Sequence, residues 1–380
     1  MKRINNVKQT SAMALDVLAK GMTGKVYNLA AGDPDVEVCD ALRNAYISAD
    51  LKSSHNYGSS QGNAGLRKKI WKNPEEVIIA NGAKQLIYMA LAAVTKPGDE
   101  VVLIGPCWAS YMRICDILGL KYKLVIGEAE GESDSEAAGE SVKDGESGIK
   151  GTERTKPYCP SIRKITEAVT SETAAILINN PNNPTGTVYD RAYLNGILDI
   201  AEANDCFIIC DEIYGKLTDG DAFESLRGIS SVIAIDGFSK CLNITGWRIG
   251  YAIASEEIIK AMTGIQSQMS GPPNSLMQSI LSDAWDNLEY TCFEAYRERV
   301  DVLCDIEKFR KARPEAGFYF YVPIDDKWKN AEELCRYFME QYRVAVTPGD
   351  DYGVPRTVRV SVASVSAEEL REIHDVLKLI

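Results

Sequence analysis

Short apolar runs alternate with longer segments of helical period between residues 77 and 235. The runs are rich in Val, Ile and Ala and occupy residues 77–80, 101–104, 174–178, 207–210 and 231–235. Short runs of this kind, without polar alternation, are typical of strands that are buried on both faces. Because helical segments separate them, they predict an α/β fold with a mostly parallel sheet that helices cover on both sides.

Polar and aromatic residues follow each of these runs. They are Asn81-Gly82-Ala83-Lys84, Gly105-Pro106-Cys107-Trp108, residues 179–186, Asp211-Glu212-Ile213-Tyr214 and residues 236–240. Ligands of open parallel sheets bind beyond the carboxyl ends of the strands. We therefore expect these side chains to converge on one crevice.

The pattern changes after Pro272-Pro273. A long stretch of helical period, residues 276 to about 309, leads to two strand-like segments, 318–322 and 357–362. This arrangement is typical of an α+β lobe with an antiparallel sheet. A chain of 380 residues also exceeds the size at which single cores stop growing. We predict a large domain over residues 38–273 and a smaller α+β domain built from residues 1–37 and 274–380.

Half of the net negative charge lies in one segment. Residues 128–154 hold nine acidic and three basic side chains, which is −6 of the net −12. The segment is rich in Gly, Ser and Glu and buries too little apolar surface to offset its ordering entropy, so we predict an exposed, mobile insertion. A regulatory docking tail is the alternative. The rest of the chain is only mildly acidic, which argues against binding to nucleic acid or an anionic membrane.

Cysteine and histidine content limits the metal chemistry that is open to the chain. Ten cysteines include no Cys-x-x-Cys pair, and only two histidines exist, so we expect reduced thiols and no metal site. The N-terminal residues are too polar for a secretory signal, and no apolar run approaches the roughly 20 residues of a membrane helix. A cytoplasmic enzyme without membrane contact is the expectation.

Three blocks in a fixed order carry a resemblance to a known family. They are residues 180–186 (NPNNPTG), residues 211–214 (DEIY), and Ser239-Lys240 followed by residues 245–250 (TGWRIG). In this order the chain resembles the class I aminotransferases of the aspartate aminotransferase fold type, and the likeness runs from residues 28–35 to residues 358–361. The resemblance implies pyridoxal 5′-phosphate as cofactor and fold type I. It also implies transfer of an amino group from an L-amino acid to a 2-oxo acid through pyridoxamine phosphate, in a homodimer with shared sites.

The resemblance makes Lys240 the catalytic residue, which forms a Schiff base with the cofactor and then shuttles a proton. A lysine whose pKa is lowered in a cleft has the nucleophilic amine that this chemistry needs, whereas a surface lysine is the alternative. Asp211 is expected to pair with the pyridine nitrogen, although a helix N-cap is equally common for an isolated Asp. In the family, a tyrosine at Tyr214 contacts the phenolic oxygen of the cofactor, and Asn183 has a companion role.

The cofactor phosphate needs hydrogen-bond donors and positive charge. Gly82-Ala83-Lys84 opens a predicted helix over residues 85–94, whose free N–H groups suit an anion, and Arg248 supplies a forked cation. Taken singly, Gly82 is also compatible with a plain turn and Arg248 with a surface charge. Ser239 is a weaker candidate. By resemblance, Tyr57 reaches the phosphate of the partner subunit.

Three further residues are candidates for contacts with the substrate. Trp108 resembles the aromatic residue that stacks on the pyridine ring, although a tryptophan after a strand is more often core. Arg359 is expected to bind the substrate α-carboxylate through two parallel hydrogen bonds, with a solvent-exposed arginine as the alternative. Gly32 resembles the glycine that lets this carboxylate approach the backbone. The motifs leave the identity of the amino donor open.

Two departures from the family pattern limit the transfer of roles. The segment 68–75 is shorter than the helix that relatives carry, and residues 268–273 differ from the usual polar sequence, which leaves partner-subunit phosphate contacts there in doubt. A carbon–sulfur β-lyase or an aminocyclopropane-carboxylate synthase would share the same lysine, aspartate and arginines and is the alternative function. The chain lacks the basic stripe expected of a non-catalytic, nucleic-acid-binding protein. It also lacks the Gly-x-Gly-x-x-Gly motif expected of a nicotinamide-dependent oxidoreductase.

Overall fold

A computed structural model describes residues 10–50, 55–129, 156–220, 223–291 and 293–380. The predicted insertion at 128–154 lies outside these residues, apart from its first two positions. The N-terminal elements are α1 (Ser11–Gly21), β1 (Tyr27–Asn28), α2 (Asp40–Ile47) and α3 (Ala64–Ile70).

A seven-stranded sheet forms the centre of the large lobe. Its strands are β2 (Val77–Ala80), β3 (Glu100–Ile104), β4 (Lys121–Val125), β5 (Thr173–Asn179), β6 (Phe207–Asp211), β7 (Val232–Gly237) and β8 (Gly250–Ile253). Their order is β2-β8-β7-β6-β5-β3-β4, and β8 runs antiparallel to both of its neighbours while the other pairs are parallel. The predicted mostly parallel α/β sheet is therefore confirmed.

Helices cover both faces of this sheet. They are α4 (Ala83–Val94), α5 (Ser110–Leu118), α6 (Ile162–Ala168), α7 (Arg191–Ala203) and α8 (Glu256–Met269). Strand residues alternate between the faces: Ile209 packs with α4, α5 and α8, whereas Ile208 packs with α6 and α7. Burial on both faces explains why the strands read as continuous apolar runs rather than as alternating ones.

The small lobe contains an antiparallel sheet, as predicted. The elements after residue 273 are α9 (Ser275–Ala284), α10 (Glu294–Cys304), α11 (Glu307–Lys311), β9 (Tyr319–Pro323), α12 (Ala331–Tyr342), β10 (Val344–Ala345), β11 (Thr347–Pro348), β12 (Thr357–Ser361), α13 (Ala367–Glu372) and α14 (His374–Leu377). The sheet order is β11-β12-β9, and β1 pairs in parallel with β10. The expected long helical stretch over residues 276–309 was wrong as a single element, because a 3-10 turn that follows α9 ends at Asn287 and α10 ends at Cys304.

Packing near residue 273 bears on the domain boundary, which stays a prediction. Ile280 and Leu281 of α9 pack with Leu42, Val77 and other residues of the large lobe. The cluster of the small lobe instead contains buried residues from Phe293 onward, together with Leu29 and with Ile213, Tyr214 and Leu217 from the segment after β6. This packing favours a boundary nearer to residue 293 than to residue 273.

Candidate active site

One cavity of about 630 Å³ opens at the carboxyl ends of the central strands, between the two lobes. Most of the predicted site residues line it, namely Gly32, Ala83, Lys84, Trp108, Asn183, Asp211, Tyr214, Ser239, Lys240, Arg248 and Arg359. The strand ends of β3, β5, β6 and β7 bring these residues together from positions far apart in the chain. Their convergence follows from the parallel topology, which places successive strand ends along one edge.

Lys240 follows β7 and is half-buried, and its amine donates a hydrogen bond to the carbonyl oxygen of Gly32. The pKa of Lys240 is lowered to about 8, chiefly by burial and also by the charges of Arg359 and Arg248, while Asp33 acts in the opposite direction. A larger fraction of neutral amine therefore exists near neutral pH than at an exposed lysine. A neutral amine is the form that attacks a carbonyl carbon.

Asp211 ends β6 and is 3% exposed. Its carboxylate accepts hydrogen bonds from Tyr111 Oη at 2.6 Å and from the Ile213 amide at 3.3 Å. Burial raises the pKa of Asp211 to about 6, although these two donors act to lower it. The group is thus an ionised carboxylate above about pH 6, with a low-polarity surround and a side chain that faces the cavity.

Asparagines connect the loop after β5 to Asp211. The side chain of Asn179 donates to the backbone carbonyl of Asp211 at 2.8 Å and accepts from the backbone amide of Asn183 at 2.6 Å. Tyr214 is buried, its hydroxyl lies 3.2 Å from that of Tyr319, and burial raises its pKa well above the ordinary value. These contacts hold Asn183 and Tyr214 at one side of the cavity.

Arg359 lies in β12 of the small lobe and is 3% exposed, so it is not the solvent-exposed arginine of the alternative interpretation. Its guanidinium donates to Asn183 Oδ1 at 3.1 Å and to the Ala30 carbonyl at 2.5 Å, and it lies 4.3 Å from the ring centroid of Tyr319. Its Nε is buried without a hydrogen-bond partner among the described residues. A buried guanidinium with a free donor is suited to a carboxylate ligand.

Gly32 lies opposite this arginine. A Cβ atom at Gly32 would come within 1.8 Å of Tyr319 Oη, so any larger residue would displace the tyrosine. The absence of a side chain is therefore a steric requirement of the site. Trp108 is half-buried and packs edge-on against Tyr111, with ring centroids 5.6 Å apart, and it also lines the cavity.

Ala83 and Arg248 line one end of the cavity, and Gly82 lies directly beside Arg248. Gly82 is the N-cap of α4 with φ of +85°, and a Cβ atom there would lie 2.6 Å from Arg248 Nη2. Arg248 is exposed and donates to the carbonyls of Thr245 at 2.9 Å and Asn81 at 3.3 Å. A helix N-terminus beside a guanidinium is a favourable place for an anion such as a phosphate.

Lys84 lies beside this end of the cavity. Its amine is 4.8 Å from the ring centroid of Trp108. Partial burial and the charge of Arg248 lower the pKa of Lys84. Together with Lys240, Arg248 and Arg359, it gives the cavity more cationic than anionic side chains, since the acidic lining residues are Asp33 and Asp211. This charge balance favours ligands with several negative charges.

Two predicted site residues, Tyr57 and Gly82, do not line the cavity. The side chain of Tyr57 is 95% exposed. Its role, a contact with the phosphate of a second subunit, stays a prediction. Gly82 does not line the cavity itself but lies directly beneath Arg248.

Several cavity residues had no role in the sequence interpretation. Tyr111 reads as a core aromatic, and only its position on the first turn of α5, next to the Trp108 motif, hinted at the contact with Asp211. Asp33 and Thr245 lie in quoted motifs, but their hydrogen bond, 2.5 Å from Thr245 Oγ1 to Asp33 Oδ1, joins segments more than 200 residues apart. The other additional lining residues include Thr10, Met13, Ser110 and Tyr319.

Among the described residues, no helix has the length and apolar character needed to cross a membrane. Within the same part of the chain, no group of three or more His, Cys, Asp or Glu residues is arranged to hold a metal ion.

Comparisons with known proteins agree with this geometry. The family model described as aminotransferase class I and II matches residues 24–377. An aspartate aminotransferase of Thermotoga maritima is 30% identical, over 98% of this chain and 97% of that protein. An aspartate/prephenate aminotransferase of Thermus thermophilus is also 30% identical, over 95% of this chain and 92% of its own length.

Solved structures show the same relationship. The aspartate aminotransferase of Thermus thermophilus with maleate superimposes with a TM-score of 0.84 at 26% identity and covers 100% of this chain and 99% of its own. The Thermotoga maritima aspartate aminotransferase gives 0.82 at 28% identity, over 98% and 97% of the two chains. These relatives confirm the predicted fold type I, and their names do not favour the lyase or synthase alternative. The chain therefore belongs to the class I and II aminotransferase family and is an aminotransferase.

Proposed function

We propose that the chain binds pyridoxal 5′-phosphate through Lys240 and transfers the amino group of an acidic L-amino acid to a 2-oxo acid. The observation that carries this proposal is the presence of Lys240, Asp211 and Arg359 in one cavity. Burial lowers the pKa of the lysine to about 8 and raises the pKa of the aspartate to about 6. Opposite shifts of an amine and a carboxylate at one site are typical of catalytic groups.

The residues present fit this cofactor. When bound, pyridoxal phosphate supplies an aldehyde that accepts an amino group and a ring that withdraws electrons from the substrate Cα. Lys240 offers the amine for the covalent link, and Asp211 offers a carboxylate for the ring nitrogen. Gly82 leaves room for Arg248, and with the first amides of α4 it offers a cradle for a phosphate.

The roles of the protein groups follow from their positions. Lys240, once released from its covalent link, has a free Nζ. This amine can take a proton from the substrate Cα, hold it and pass it on to another carbon. Arg359, whose Nε is free among the described residues, binds the substrate α-carboxylate and thereby orients the Cα–H bond. Trp108 and Asn183 border the space in which the ring and the substrate lie.

An acidic amino donor is supported by the charge of the cavity. Arg248 and Arg359 suffice for a phosphate and an α-carboxylate, which leaves Lys84 available for a second substrate carboxylate, although its motif was first assigned to the phosphate. The relatives named above are aspartate and aspartate/prephenate aminotransferases, and one of them was solved with maleate, a dicarboxylate. Replacing Lys84 with Met is expected to lower kcat/KM for L-aspartate by roughly tenfold or more, with little change for L-alanine. An equal loss for both donors would contradict the role in acidic specificity.

A homodimer is the proposed assembly. Tyr46, Ile47, Tyr57 and Met269 are exposed apolar or aromatic side chains on the large lobe, and burial of such residues favours association. In a dimer, Tyr57 could reach the phosphate of a second copy, as the family resemblance implies. Sedimentation velocity of the wild type should give twice the monomer mass of 41.8 kDa. The cytoplasmic location stays a prediction.

The central experiment compares wild type, Lys240→Ala and the surface control Lys260→Ala after incubation with pyridoxal phosphate and removal of the excess. We expect a visible absorbance band in the wild type and the control, and borohydride reduction should add the cofactor mass to the peptide that contains Lys240. Addition of L-aspartate alone should release about one equivalent of 2-oxo acid per bound cofactor. Continuous release of pyruvate and ammonia would instead support a lyase, and labelling that persists in Lys240→Ala would refute the assignment of the lysine.

A further inference from the structure

A cluster of three charged side chains lies behind the cavity, on the other face of the central sheet. Arg227 Nε is 3.0 Å from Glu212 Oε2, and its Nη2 is 2.5 Å from Asp236 Oδ2. The side chains are 21%, 0% and 5% exposed, respectively. Asp236 follows Ile235 in β7. Ile235 packs in the same cluster as Tyr111, on one face of the sheet. Because successive side chains of a strand point to opposite faces, the side chain of Asp236 points to the other face.

Glu212 and Asp236 have further partners that fix their positions. The Glu212 carboxylate accepts from Ser225 Oγ at 2.7 Å and from the Leu226 amide at 2.9 Å. The Asp236 carboxylate accepts from Tyr251 Oη at 2.8 Å and from the amide of the next residue, Gly237, at 2.6 Å. The cluster is thus a connected hydrogen-bond network rather than a chance contact of surface charges.

The network joins the two segments that carry the reactive groups. Glu212 is the residue directly after Asp211, and Asp236 lies four residues before Lys240 in sequence. The Arg227 guanidinium therefore bridges the end of β6 to the end of β7. It also offsets part of the negative charge of two carboxyl groups that lie close to a third, that of Asp211.

Several charged or titratable groups face Asp211. They are Tyr111 from α5, Glu212 and Tyr214 from its own segment, Asp236 from β7, and Lys240 from the segment after β7. The charges of Asp236 and Glu212 raise the pKa of Asp211, in addition to the larger effect of burial. A cation held between these two carboxylates opposes that effect.

We propose that Arg227 is a positioning residue for the amino transfer, which holds the ends of β6 and β7 together and keeps Asp211 ionised by compensating Glu212 and Asp236. This inference rests on the proposed pairing of Asp211 with the cofactor ring. Arg227 itself does not line the cavity, so it acts through its two carboxylate partners.

The test measures the affinity of the protein for pyridoxal phosphate between pH 5 and pH 8.5, by visible absorbance, together with the pH dependence of kcat/KM. The ionisations of the free cofactor are the same in every titration, so only differences between variants are compared. We expect Arg227→Met to move the acid midpoint of both curves upward by roughly one pH unit, since loss of a nearby cation stabilises the protonated carboxyl. The matched control is Arg191→Met, which removes an exposed arginine that pairs with Glu224.

A compensating variant separates charge from mere structural support. Arg227→Met with Asp236→Asn restores the original net charge of the cluster, so its midpoint should return toward the wild-type value. Glu212→Gln removes a negative charge and should move the midpoint downward, which keeps the proposal testable if Arg227→Met fails to fold. A wild-type midpoint in folded Arg227→Met, or an upward shift in Glu212→Gln, would overturn the proposal. A wild type that neither binds the cofactor nor transfers amino groups would instead refute the proposed function.

Discussion

Tyr111 donates a 2.6 Å hydrogen bond to the carboxylate of Asp211 and so ties the first turn of α5 to the end of β6. Both groups are buried. The hydrogen bond stabilises the ionised form of Asp211 and lowers its pKa, against the larger opposing effect of burial.

Replacing Tyr111 with Phe should therefore raise the pKa of Asp211 above about 6. Because loss of one such hydrogen bond costs about 1 kcal/mol, we expect the acid limb of kcat/KM to move upward by roughly half to one pH unit. The matched control is Tyr296→Phe, since the hydroxyl of Tyr296 is buried without a hydrogen-bond partner in the described part of the chain. An acid limb that stays in place in Tyr111→Phe, or moves equally in both variants, would speak against this role.

Asp211→Asn should raise the free energy of unfolding and weaken the binding of pyridoxal phosphate. The folded-state pKa of Asp211, about 6, lies above its ordinary value, so its ionisation above pH 6 opposes folding and any stabilising contribution is present only at lower pH. At pH 8, the cofactor-free Asn variant is expected to unfold with a free energy on the order of 1–3 kcal/mol higher than the wild type. At pH 3.5 this difference should vanish, and at every pH the variant should bind pyridoxal phosphate more weakly. Urea denaturation at the two pH values checks the sign.

Gly82→Ala tests the cradle at the start of α4. A side chain at φ of +85° is strained, and its Cβ would lie 2.6 Å from Arg248 Nη2. Gly98→Ala is the control, because Gly98 has φ of +98° but no atom within 4 Å of the added Cβ. Both variants should lose about 1 kcal/mol of stability from backbone strain. Only Gly82→Ala should weaken the binding of pyridoxal phosphate, measured by equilibrium titration.

Arg359→Lys keeps the positive charge but removes the planar fork. Since two parallel hydrogen bonds to a carboxylate require a guanidinium, kcat/KM for amino donors should fall by roughly 100-fold, which corresponds to about 3 kcal/mol. Arg356→Lys, a half-buried position three residues earlier that does not line the cavity, should leave kcat/KM near the wild-type value. Steady-state kinetics with several donors gives both numbers, and a small effect in Arg359→Lys would rule out bidentate binding.

The reactivity of Lys240 should follow its lowered pKa. In cofactor-free protein, the rate of covalent attachment of pyridoxal phosphate is expected to rise with pH and to reach half of its maximum near pH 8, because only the neutral amine attacks. Asp33→Asn removes a charge that raises the pKa of Lys240, so this midpoint should move to lower pH. Asp35→Asn, in the same loop but paired with Arg299 at 2.8 Å, is the control. A shift in the opposite direction would exclude an electrostatic effect of Asp33 on the amine.

Five strands of the central sheet were visible in the sequence because they are apolar over their whole length. The predicted run at residues 77–80 coincides with β2, and β3, β5, β6 and β7 each differ from their predicted run by no more than two residues at either end. β4 and β8 were missed: β4 carries Lys121 and Lys123, and β8 begins with Gly250. Strands with charged residues or glycine lack the signal by which a buried strand is recognised.

The order of the motifs, read with their family resemblance, was enough to predict fold type I and many, but not all, of the residues that line the cavity. This prediction was possible because the carboxyl ends of parallel strands lie on one edge of the sheet. The polar residues that follow the strands in sequence are therefore neighbours in space. Tertiary structure alone decided that Tyr111 binds Asp211, that Asp33 contacts Thr245, and that Arg227 lies between Glu212 and Asp236. Such contacts depend on how distant segments pack, and the pKa values of the reactive groups depend on the burial that this packing creates.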